Sequence, residues 1–350
     1  MAAIHEPRLG LRAVVVVDNV ACGRAIGGVR LAPDVNAEEC FRLARAMTLK
    51  NAAAGLPHGG GKSVIVGDPH APAEERERLV RAFAHAIRDL RDYVPGPDMG
   101  TDETAMAWVL DEIGRAVGLP RALGGIPLDE IGATGFGVAI ATEVACEHVG
   151  IETRGARIAV QGFGAVGRNA ALYLADRGAV LVAAADSAGG IHAPGGLDVA
   201  ALVAHKDAGC AVPTFRPGAP LDDGEIVGVD CDVWIPAARP DVLTETSALR
   251  LRARIVVEGA NIPTTAAADR LLADRGVIVV PDIIANAGGV ITAAVELRGG
   301  TDAQALAVVE ERIRTNTTHV LDAGDTSPRA AAHRMAHERV REAMSYRRFA

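Results

Sequence analysis

Apolar and polar positions in the first third of the chain predict short strands and amphipathic helices. Apolar runs of strand length occur at Ala13–Val17 and Ser63–Val66, and a glycine-rich link is expected at Gly23–Gly28. Where apolar residues recur on one face, or helix-forming residues dominate, a helix is expected. Thr101 is the expected N-cap of the last helix in this part, with acidic residues in its first turn. The predicted helices are Ala37–Asn51, Ala73–Leu90 and Thr101–Val117.

The pattern changes after Gly118–Pro127, a stretch that contains several glycines and prolines. From about Arg154, apolar strands alternate with helices, beginning with the strand Arg157–Gln161 and the helix Ala165–Arg177. This alternation indicates a doubly wound α/β unit. The last stretch, Thr301–Phe349, is predicted to be mostly helical. The later strands are predicted at Val180–Asp186, Cys231–Pro236, Ile255–Glu258 and Val277–Pro281.

Composition narrows the class of protein. A length of 350 residues favours about two domains, and 49% hydrophobic residues allow a sizeable core. The net charge of -8 argues against a nucleic-acid surface, and the apolar runs are too short to cross a membrane. Five scattered cysteines lack the paired spacing of metal or redox sites, so we expect reduced thiols, a cytoplasmic protein and no metal. The amino terminus shows no secretory signal.

Two lysines surround a triple-glycine turn near the end of the first predicted helix. Lys50 and Lys62 flank Gly59–Gly61, and Asp98 lies in a second loop rich in glycine and proline. Burial depresses the pKa of a lysine and a neighbouring carboxylate raises it again, so such a lysine is a tunable acid or base. A nucleotide phosphate-binding loop is excluded, because Leu56 stands where that motif needs glycine and a strand follows the turn.

A second motif has the spacing of a dinucleotide-binding turn. Gly162, Gly164 and Gly167 follow a predicted strand and open a helix. The first permits the tight turn, the second lets a pyrophosphate approach the backbone, and the third lets helix and strand pack closely. Asp186 ends the next strand, where a carboxylate accepts hydrogen bonds from the adenosine ribose and repels a 2′-phosphate. The motif therefore predicts a dinucleotide site, with NAD favoured over NADP.

Seven segments of the chain together resemble the Glu/Leu/Phe/Val amino-acid dehydrogenases. They cover most of the sequence in the family's order, which is more specific than any single motif. The segments are KNAAAGL (50–56), GGGK (59–62), DMGT (98–101), GATGFGV (132–138), QGFGAVG (161–167), EGANIPTT (258–265) and PDIIANAGGV (281–290).

The resemblance implies an α/β fold of two domains with a cleft between them. Residues 1–127 with about 308–350 would form a substrate and oligomerisation domain, and residues 128–307 a Rossmann-type doubly wound NAD-binding domain. The implied ligands are NAD, ammonia and an amino acid or its 2-oxo acid, and the implied partner is another copy of the chain. Nucleic acid and membrane are not expected as partners.

The same resemblance assigns the chemistry to three residues. Lys50 would bind the substrate α-carboxylate, Lys62 would activate water, and Asp98 would move the proton to and from the amine nitrogen. Hydride transfer from the substrate Cα to the nicotinamide would give an iminium. Addition of the activated water and collapse of the carbinolamine would then release a 2-oxo acid and ammonia.

Other site residues follow from the matching motifs. Asn261 and Asn286 are expected near the nicotinamide or the substrate carboxylate, and Thr134 near the cofactor. His58, beside the glycine turn, is expected to be an ordinary surface histidine. The cofactor contacts implied are Thr134, Gly162, Phe163, Gly164, Ala165, Val166, Gly167, Asp186 and Asn261.

Two positions favour an apolar substrate side chain. Glutamate enzymes of the family carry a lysine and a serine at the positions of Ile26 and Ala293, and neither residue present here pairs with a carboxylate. We therefore expect leucine, valine or phenylalanine, with Gly96 leaving room for a larger group. The substrate contacts implied are Ile26, Lys50, Gly96, Asn261, Asn286, Val290 and Ala293.

Two alternatives stay open at this stage. The first is a glutamate dehydrogenase in which an arginine such as Arg30 or Arg298 replaces the missing lysine. The second is a catalytically silent NAD-binding sensor, which the presence of Lys50, Lys62 and Asp98 disfavours.

Overall fold

The chain divides into two compact units. The computed structural model describes residues 1–128, 130–222, 224–324 and 327–347. Unit 1 comprises Met1–Ile131, Val290–Ala305 and His333–Ala350. Unit 2 comprises Gly132–Gly289 and Leu306–Ala332.

Unit 1 is built on a mixed five-stranded sheet. Its strands are β1 (Ala2–Glu6), β2 (Leu11–Asn19), β3 (Ala25–Ala32), β4 (Gly59–Val66) and β5 (Tyr93–Pro97). Their order across the sheet is β1-β2-β4-β3-β5. Strand β2 runs antiparallel to β1 and β4, whereas β3 runs parallel to β4 and β5. The parallel arrangement brings the carboxyl ends of β3, β4 and β5 to one edge of the sheet.

The expected link at Gly23–Gly28 is wrong, because β3 begins at Ala25. A Cβ atom at Gly27 would lie 1.7 Å from the carbonyl oxygen of Gly61 on β4. The glycines of this segment therefore reflect the close approach of two paired strands, which sequence composition does not distinguish from a flexible loop. The predicted strands at Ala13–Val17 and Ser63–Val66 lie within β2 and β4.

Three helices of unit 1 follow the predicted positions. They are α1 (Ala37–Ala53), α2 (Ala73–Ala86) and α3 (Glu103–Ile113), and the last two end earlier than predicted. The N-cap of α3 is Asp102, whose side chain accepts from the Ala105 N–H, and Thr101 is not the cap. The Thr101 hydroxyl instead donates to the Val29 carbonyl at 2.8 Å and accepts from the Asp98 N–H at 3.0 Å.

Unit 2 contains a seven-stranded sheet. Its strands are β6 (Arg157–Gln161), β7 (Val180–Asp186), β8 (Gly189–His192), β9 (Ala219–Leu221), β10 (Val233–Pro236), β11 (Ile255–Val257) and β12 (Ile278–Val280). The order is β12-β11-β10-β6-β7-β8-β9, parallel from β12 to β7 and antiparallel beyond it. All five predicted strands are present. The short β8 and β9 were not predicted, since neither has a distinct apolar run. The predicted doubly wound α/β fold is confirmed.

The α-helices that follow α3 along the chain belong partly to unit 2 and partly to unit 1. They are α4 (Ala133–His148), α5 (Ala165–Asp176), α6 (Val199–Asp207), α7 (Glu245–Ala248), α8 (Ala266–Asp274), α9 (Asp282–Ala285), α10 (Gly288–Glu296), α11 (Asp302–Leu321) and α12 (Pro328–Ser345). The helical stretch predicted from Thr301 corresponds to α11 and α12. Positions 325, 326 and 348–350, which include Phe349, lie outside the described residues.

The predicted domain limits differ in detail from the two units. Residues 290–305 belong to unit 1, and residues 306–332 belong to unit 2. Several of these divisions fall inside helices, where no change in composition marks them. The assignment of substrate binding to one unit and dinucleotide binding to the other stays a prediction. None of the helices in the described segments combines the length and apolar character needed to cross a bilayer.

Candidate active site

Lys62 and Asp98 form a buried ion pair in unit 1. Lys62 lies within β4 and is 6% exposed, and Asp98 follows β5 directly. The Lys62 ammonium contacts Oδ2 of Asp98. Strand β3 separates β4 from β5, and a Cβ atom at Gly28 on β3 would lie 2.7 Å from the Cβ of Asp98. The absence of a side chain at Gly28 therefore lets the carboxylate reach across to the lysine.

A second cation stands beside the same carboxylate. Nε of Arg30 lies 3.4 Å from Oδ2 of Asp98, and its Nη1 lies 2.6 Å from Glu39. Burial alone would raise the pKa of Asp98, but the charges of Lys62 and Arg30 lower it below its ordinary value. Asp98 is therefore an ionised hydrogen-bond acceptor at neutral pH.

Lys50 lies in the last turn of α1, the helix that covers the beginning of β4. A Cβ atom at Gly60 would come within 2.0 Å of the Thr48 backbone nitrogen. The Asn51 amide, next to Lys50, donates to the Gly59 carbonyl at 2.7 Å. Glycine at position 60 thus lets α1 lie directly on the strand that carries Lys62.

The positions predicted to bind the substrate side chain are apolar. Ile26, Val94, Val117 and Ala293 form one buried cluster, with Leu297 partly buried against it. We call these five residues the apolar cluster.

Two further predicted positions border the same elements. Gly96 follows Val94 on β5, and a Cβ atom added to it would lie 3.1 Å from a methyl group of Val117. Val290 is half-buried and lies on α10, as does Ala293. The predicted substrate side-chain contacts are therefore found on or beside the apolar cluster.

The expectation that His58 is a surface residue is wrong. Its side chain is 8% exposed, and Nδ1 lies 3.3 Å from the Arg24 carbonyl oxygen. Burial lowers the pKa of His58, and the positive charges of Arg298 and Arg24 act in the same direction. Because a carbonyl oxygen only accepts, Nδ1 carries the proton of a neutral imidazole. The residues around His58 in the sequence, which flank a glycine turn, did not indicate that its side chain is buried.

In unit 2, the glycine turn after β6 has the geometry that a dinucleotide requires. Gly162 has a φ of +97°, and a Cβ atom there would lie 2.5 Å from the Ala238 nitrogen. A Cβ atom at Gly167 would lie 2.0 Å from the Gly162 carbonyl oxygen. Both positions therefore require glycine for the turn itself and for the packing of α5 on β6.

The exposed side of this turn is open to a ligand. Gly164 is the N-cap of α5, and among the described residues no side chain caps this helix and no atom lies within 4 Å of a Cβ built at Gly164. Ala165 is exposed, and Val166 is half-buried beside it. The N–H groups at the helix start are thus available to a pyrophosphate. Phe163 is buried and its N–H already donates to the Ala185 carbonyl, so its contribution is to hold the turn.

Asp186, at the end of β7, is paired with a lysine that the sequence did not reveal. Lys206 on α6 donates to Oδ2 of Asp186 at 2.6 Å, and the N–H groups of Val212 and Ala188 donate to the same carboxylate at 2.9 Å. Burial opposes ionisation, but these three donors lower the pKa of Asp186 below its ordinary value. The carboxylate is ionised, and Lys206 offsets its charge.

A cavity of about 360 Å³ lies beside Asp186. Gly162 and Ser187 line it, and so does Arg239, which follows the carboxyl end of β10. In a doubly wound sheet, dinucleotides bind outside the carboxyl ends of the strands. Arg239 could have been predicted as a site residue because it follows the end of a predicted strand. Arginines in loops are common, however, so this position alone did not single it out.

Asn261 and Asn286 lie together in unit 2. Nδ2 of Asn286 donates to Oδ1 of Asn261 at 3.1 Å and lies 3.2 Å from the Gly259 carbonyl oxygen. Thr134 is the second residue of α4, and its hydroxyl would lie 3.1 Å from a Cβ atom at Gly289. The three predicted polar contacts thus stand on the turns and helix ends around α9 and α10, where Asn261 and Asn286 bond each other directly.

Comparison with models of protein families shows which family the chain belongs to. The model described as Glutamate/Leucine/Phenylalanine/Valine dehydrogenase matches residues 124–348, and the model of its dimerisation domain matches residues 8–115. The chain belongs to the Glu/Leu/Phe/Val dehydrogenase family. The predicted enzyme class and the nicotinamide dinucleotide cofactor are thereby confirmed. Self-association is confirmed for the family through its dimerisation domain.

Similar proteins include several with the name glutamate dehydrogenase. The glutamate dehydrogenase of Aeropyrum pernix is 40% identical over 355 residues, covering 94% of this chain and 85% of that protein. The crystal structure of hetero-hexameric glutamate dehydrogenase from Thermus thermophilus in a leucine-bound form has a TM-score of 0.85 and 34% identity. It covers 95% of this chain and 84% of the other.

L-tryptophan dehydrogenase from Nostoc punctiforme has a TM-score of 0.76 and 24% identity, covering 98% of this chain and 96% of that one. At this identity the likeness shows the fold alone. These relatives place this member of the dehydrogenase family among amino-acid dehydrogenases that act on a CH–NH₂ group, and they do not confirm an apolar substrate.

Proposed function

We propose that this dehydrogenase oxidatively deaminates an apolar L-amino acid of the leucine, valine and phenylalanine class, with NAD as the cofactor. The observation that carries the proposal is the apolar cluster. Ile26 and Ala293, at the positions where glutamate enzymes of the family have lysine and serine, are 4% and 7% exposed and pack with Val94 and Val117. A substrate carboxylate held there would lose its hydration without gaining a partner, whereas an apolar group would gain contacts.

The chemistry is assigned to the buried ion pair and to Lys50. Lys50 would hold the substrate α-carboxylate, a role suited to a compact point charge. Lys62 would give up a proton to Asp98 and then take another from the attacking water. Asp98 would pass the proton received from Lys62 to the substrate nitrogen. Their direct contact supports this relay. When bound, the nicotinamide supplies the hydride acceptor.

The preference for NAD rests on Asp186. Its ionised carboxylate supports hydrogen bonding to ribose hydroxyls and disfavours a 2′-phosphate. Lys206 weakens that repulsion, because its positive charge lies 2.6 Å from Oδ2 of Asp186. We therefore expect NAD to be preferred without NADP being excluded.

The names of the relatives favour one alternative, the deamination of glutamate. It requires a cation for the side-chain carboxylate in place of the lysine that Ile26 replaces. Arg30 is poorly suited, since its guanidinium already contacts Glu39 and Asp98. Arg298 is exposed and lies close enough to His58 to affect its pKa, so it is the better candidate for this role.

The test is NADH oxidation with ammonia and a panel of 2-oxo acids, namely the keto forms of leucine, valine, phenylalanine, tryptophan and glutamate. Higher kcat/KM for the apolar members is the expected result. A preference for 2-oxoglutarate would overturn the apolar assignment, and its loss in Arg298→Met would then identify the carboxylate partner.

A matched pair of variants makes the assay sharper. Ile26→Lys introduces a cation into the apolar cluster and should lower kcat/KM for apolar 2-oxo acids by about 100-fold, since burying an unpaired charge costs several kcal/mol. Ile26→Val keeps the cluster apolar and should change it by less than about tenfold. Equal effects of the two variants would show that Ile26 does not contact the substrate.

A further inference from the structure

One arginine near the end of the chain is surrounded by three carboxylates of unit 2. Arg329, the second residue of α12, has a side chain that is 20% exposed. Its Nη2 lies 2.6 Å from Oε1 of Glu258, its Nε 3.1 Å from Asp269, and its Nη1 3.6 Å from Asp282. None of these groups belongs to the proposed chemistry, and no motif of the sequence singled out Arg329.

Two of the carboxylates hold the turn that follows β11. Oε2 of Glu258 accepts from the Asp282 N–H at 2.9 Å, and Oδ2 of Asp282 accepts from the Ile262 N–H at 2.9 Å. Ile262 has a φ of +49°, a region that β-branched residues rarely adopt. This conformation costs free energy and persists only where the surroundings impose it. The hydrogen bond that Ile262 donates to Asp282 is one of the contacts that impose it.

The strained turn also carries a predicted ligand contact. Asn261 directly precedes Ile262, and its Oδ1 accepts from Asn286 at 3.1 Å. Asn286 follows α9, the helix that begins with Asp282. Arg329 is therefore linked through Glu258 and Asp282 to both of these asparagines, although it touches neither.

We propose that Arg329 is a positioning residue that holds the turn 258–262, and with it Asn261, in the conformation that receives the nicotinamide end of the cofactor. The proposal rests on the proposed NAD-dependent function and on the prediction from the sequence that Asn261 and Asn286 lie near the nicotinamide. It concerns only unit 2 and is independent of which amino acid is the substrate.

Charge explains why this arginine is needed at this place. Glu258 is completely buried, and Asp282 is 7% exposed. Burial raises the pKa of Glu258, and Arg329 opposes that rise. Without the guanidinium, Glu258 and Asp282 would be buried beside each other without a counter-charge. One of the two carboxylates would then take up a proton, or the two would move apart, and the hydrogen bond from the Ile262 N–H to Asp282 would be weakened.

Two ligands distinguish positioning of the nicotinamide end from a general loosening of unit 2. NADH extends to the nicotinamide, whereas ADP-ribose shares only the part that the glycine turn and Asp186 would hold. We expect Arg329→Met to raise the Kd of NADH about tenfold, measured by fluorescence titration or calorimetry, while the Kd of ADP-ribose stays within about twofold. Arg329→Lys keeps the positive charge but lacks the planar guanidinium, so its Kd for NADH should lie between those of wild type and Arg329→Met.

Arg314→Met is the control, since Arg314 pairs with Glu143 and Glu147 elsewhere in unit 2. It should leave both Kd values unchanged. Equal weakening of NADH and ADP-ribose in the Arg329 variants would overturn the proposal, as would unchanged binding of both. If Arg329→Met does not fold, Arg329→Lys carries the same comparison at a smaller change. The wild-type substrate panel tests the proposed function separately, because it involves none of these variants.

Discussion

Each unit contains a lysine–aspartate pair whose aspartate lies at the carboxyl end of a strand, and the two pairs differ in the surroundings of the lysine. In unit 1, Lys62 and Asp98 have side chains that are 8% and 16% exposed, and Lys62 stands on a strand. In unit 2, the side chain of Lys206 is 26% exposed and stands on a helix, whereas that of Asp186 is 12% exposed. The two aspartates are therefore similarly covered, and the pairs differ in the lysine, which is much less exposed to water in unit 1 than in unit 2.

The difference indicates two uses of one interaction. Attraction between charges strengthens as water is excluded, so the charge of Lys62 acts strongly on the Asp98 carboxyl and helps to lower its pKa. Such coupling suits groups that exchange protons. The charge of Lys206 is better screened, so it adjusts the field that a ligand encounters at Asp186. In the proposed function, the first pair would serve the chemistry and the second the selection of the cofactor.

The largest predicted effect comes from breaking the pair in unit 1. Lys62→Met or Asp98→Asn should lower kcat by about 10³-fold, within the range that acid–base catalysis contributes, and leave the Kd of NADH within about twofold. Steady-state kinetics and NADH titration provide both numbers. Arg81→Met, which removes ion pairs to Glu77 and Asp111 on the surface of unit 1, is the control. A Lys62→Met enzyme with normal kcat would refute the relay.

An intermediate effect is expected from the pair in unit 2. Lys206→Met removes the charge that offsets Asp186, so the ratio of Kd for NADPH to Kd for NADH should rise by about tenfold, equivalent to about 1.4 kcal/mol. Asp186→Ser should lower the ratio. Arg177→Met, whose ion pair is with Glu143, serves as the comparison and should leave the ratio unchanged. An unchanged ratio in both Asp186 and Lys206 variants would show that this pair does not contact the ribose.

The smallest effect concerns stability in acid. The pKa of Asp98 is lowered in the folded protein, so its contribution to the free energy of unfolding is present above the unfolded pKa near 4 and is lost as pH falls through the lower folded pKa. Asp98→Asn cannot titrate there. Below about pH 4 its free energy of unfolding should therefore fall less steeply than that of wild type.

Urea unfolding between pH 5 and pH 3 measures this slope, and the slope of Asp98→Asn is expected to be the shallower one. The pKa of Asp186 is lowered as well, so Asp186→Asn should also reduce the slope. A slope in Asp98→Asn that equals the wild-type slope would mean that the Lys62 contact does not persist in solution.

How far the sequence predicts the site depends on what positions each residue. Gly162 and Asp186 were found because glycine spacing and a predicted strand end constrain the backbone locally. Lys62 and Asp98 were singled out by the glycine-rich segments around them, and the family resemblance assigned their roles. Lys206 lies 20 positions from its partner and Arg329 lies 71 positions from Glu258, so only the folded chain shows these contacts. The burial of His58 escaped prediction for the same reason.

The fold shows a similar division. Strands β6, β7 and β10 were predicted because parallel buried strands are continuous apolar runs. Strand β3 was taken for a link because its central glycines obscure that signal, although their packing against Gly61 and Asp98 is what makes it a strand. The local pattern of apolar residues therefore predicts strands that have apolar side chains. It does not predict a strand such as β3, whose central residues are glycines.

The glycines beneath the buried ion pair cannot be substituted without moving that pair, whereas the residues of the apolar cluster can. At Gly28 and Gly60, any side chain would collide with the atoms that set Lys62, Asp98 and α1 in place. The apolar cluster is built from side chains instead, so its volume and polarity can change without moving those atoms. A mutant library for altered substrate preference should therefore randomise the cluster and keep both glycines fixed. One scaffold can then acquire new substrates by small steps while its reaction stays the same.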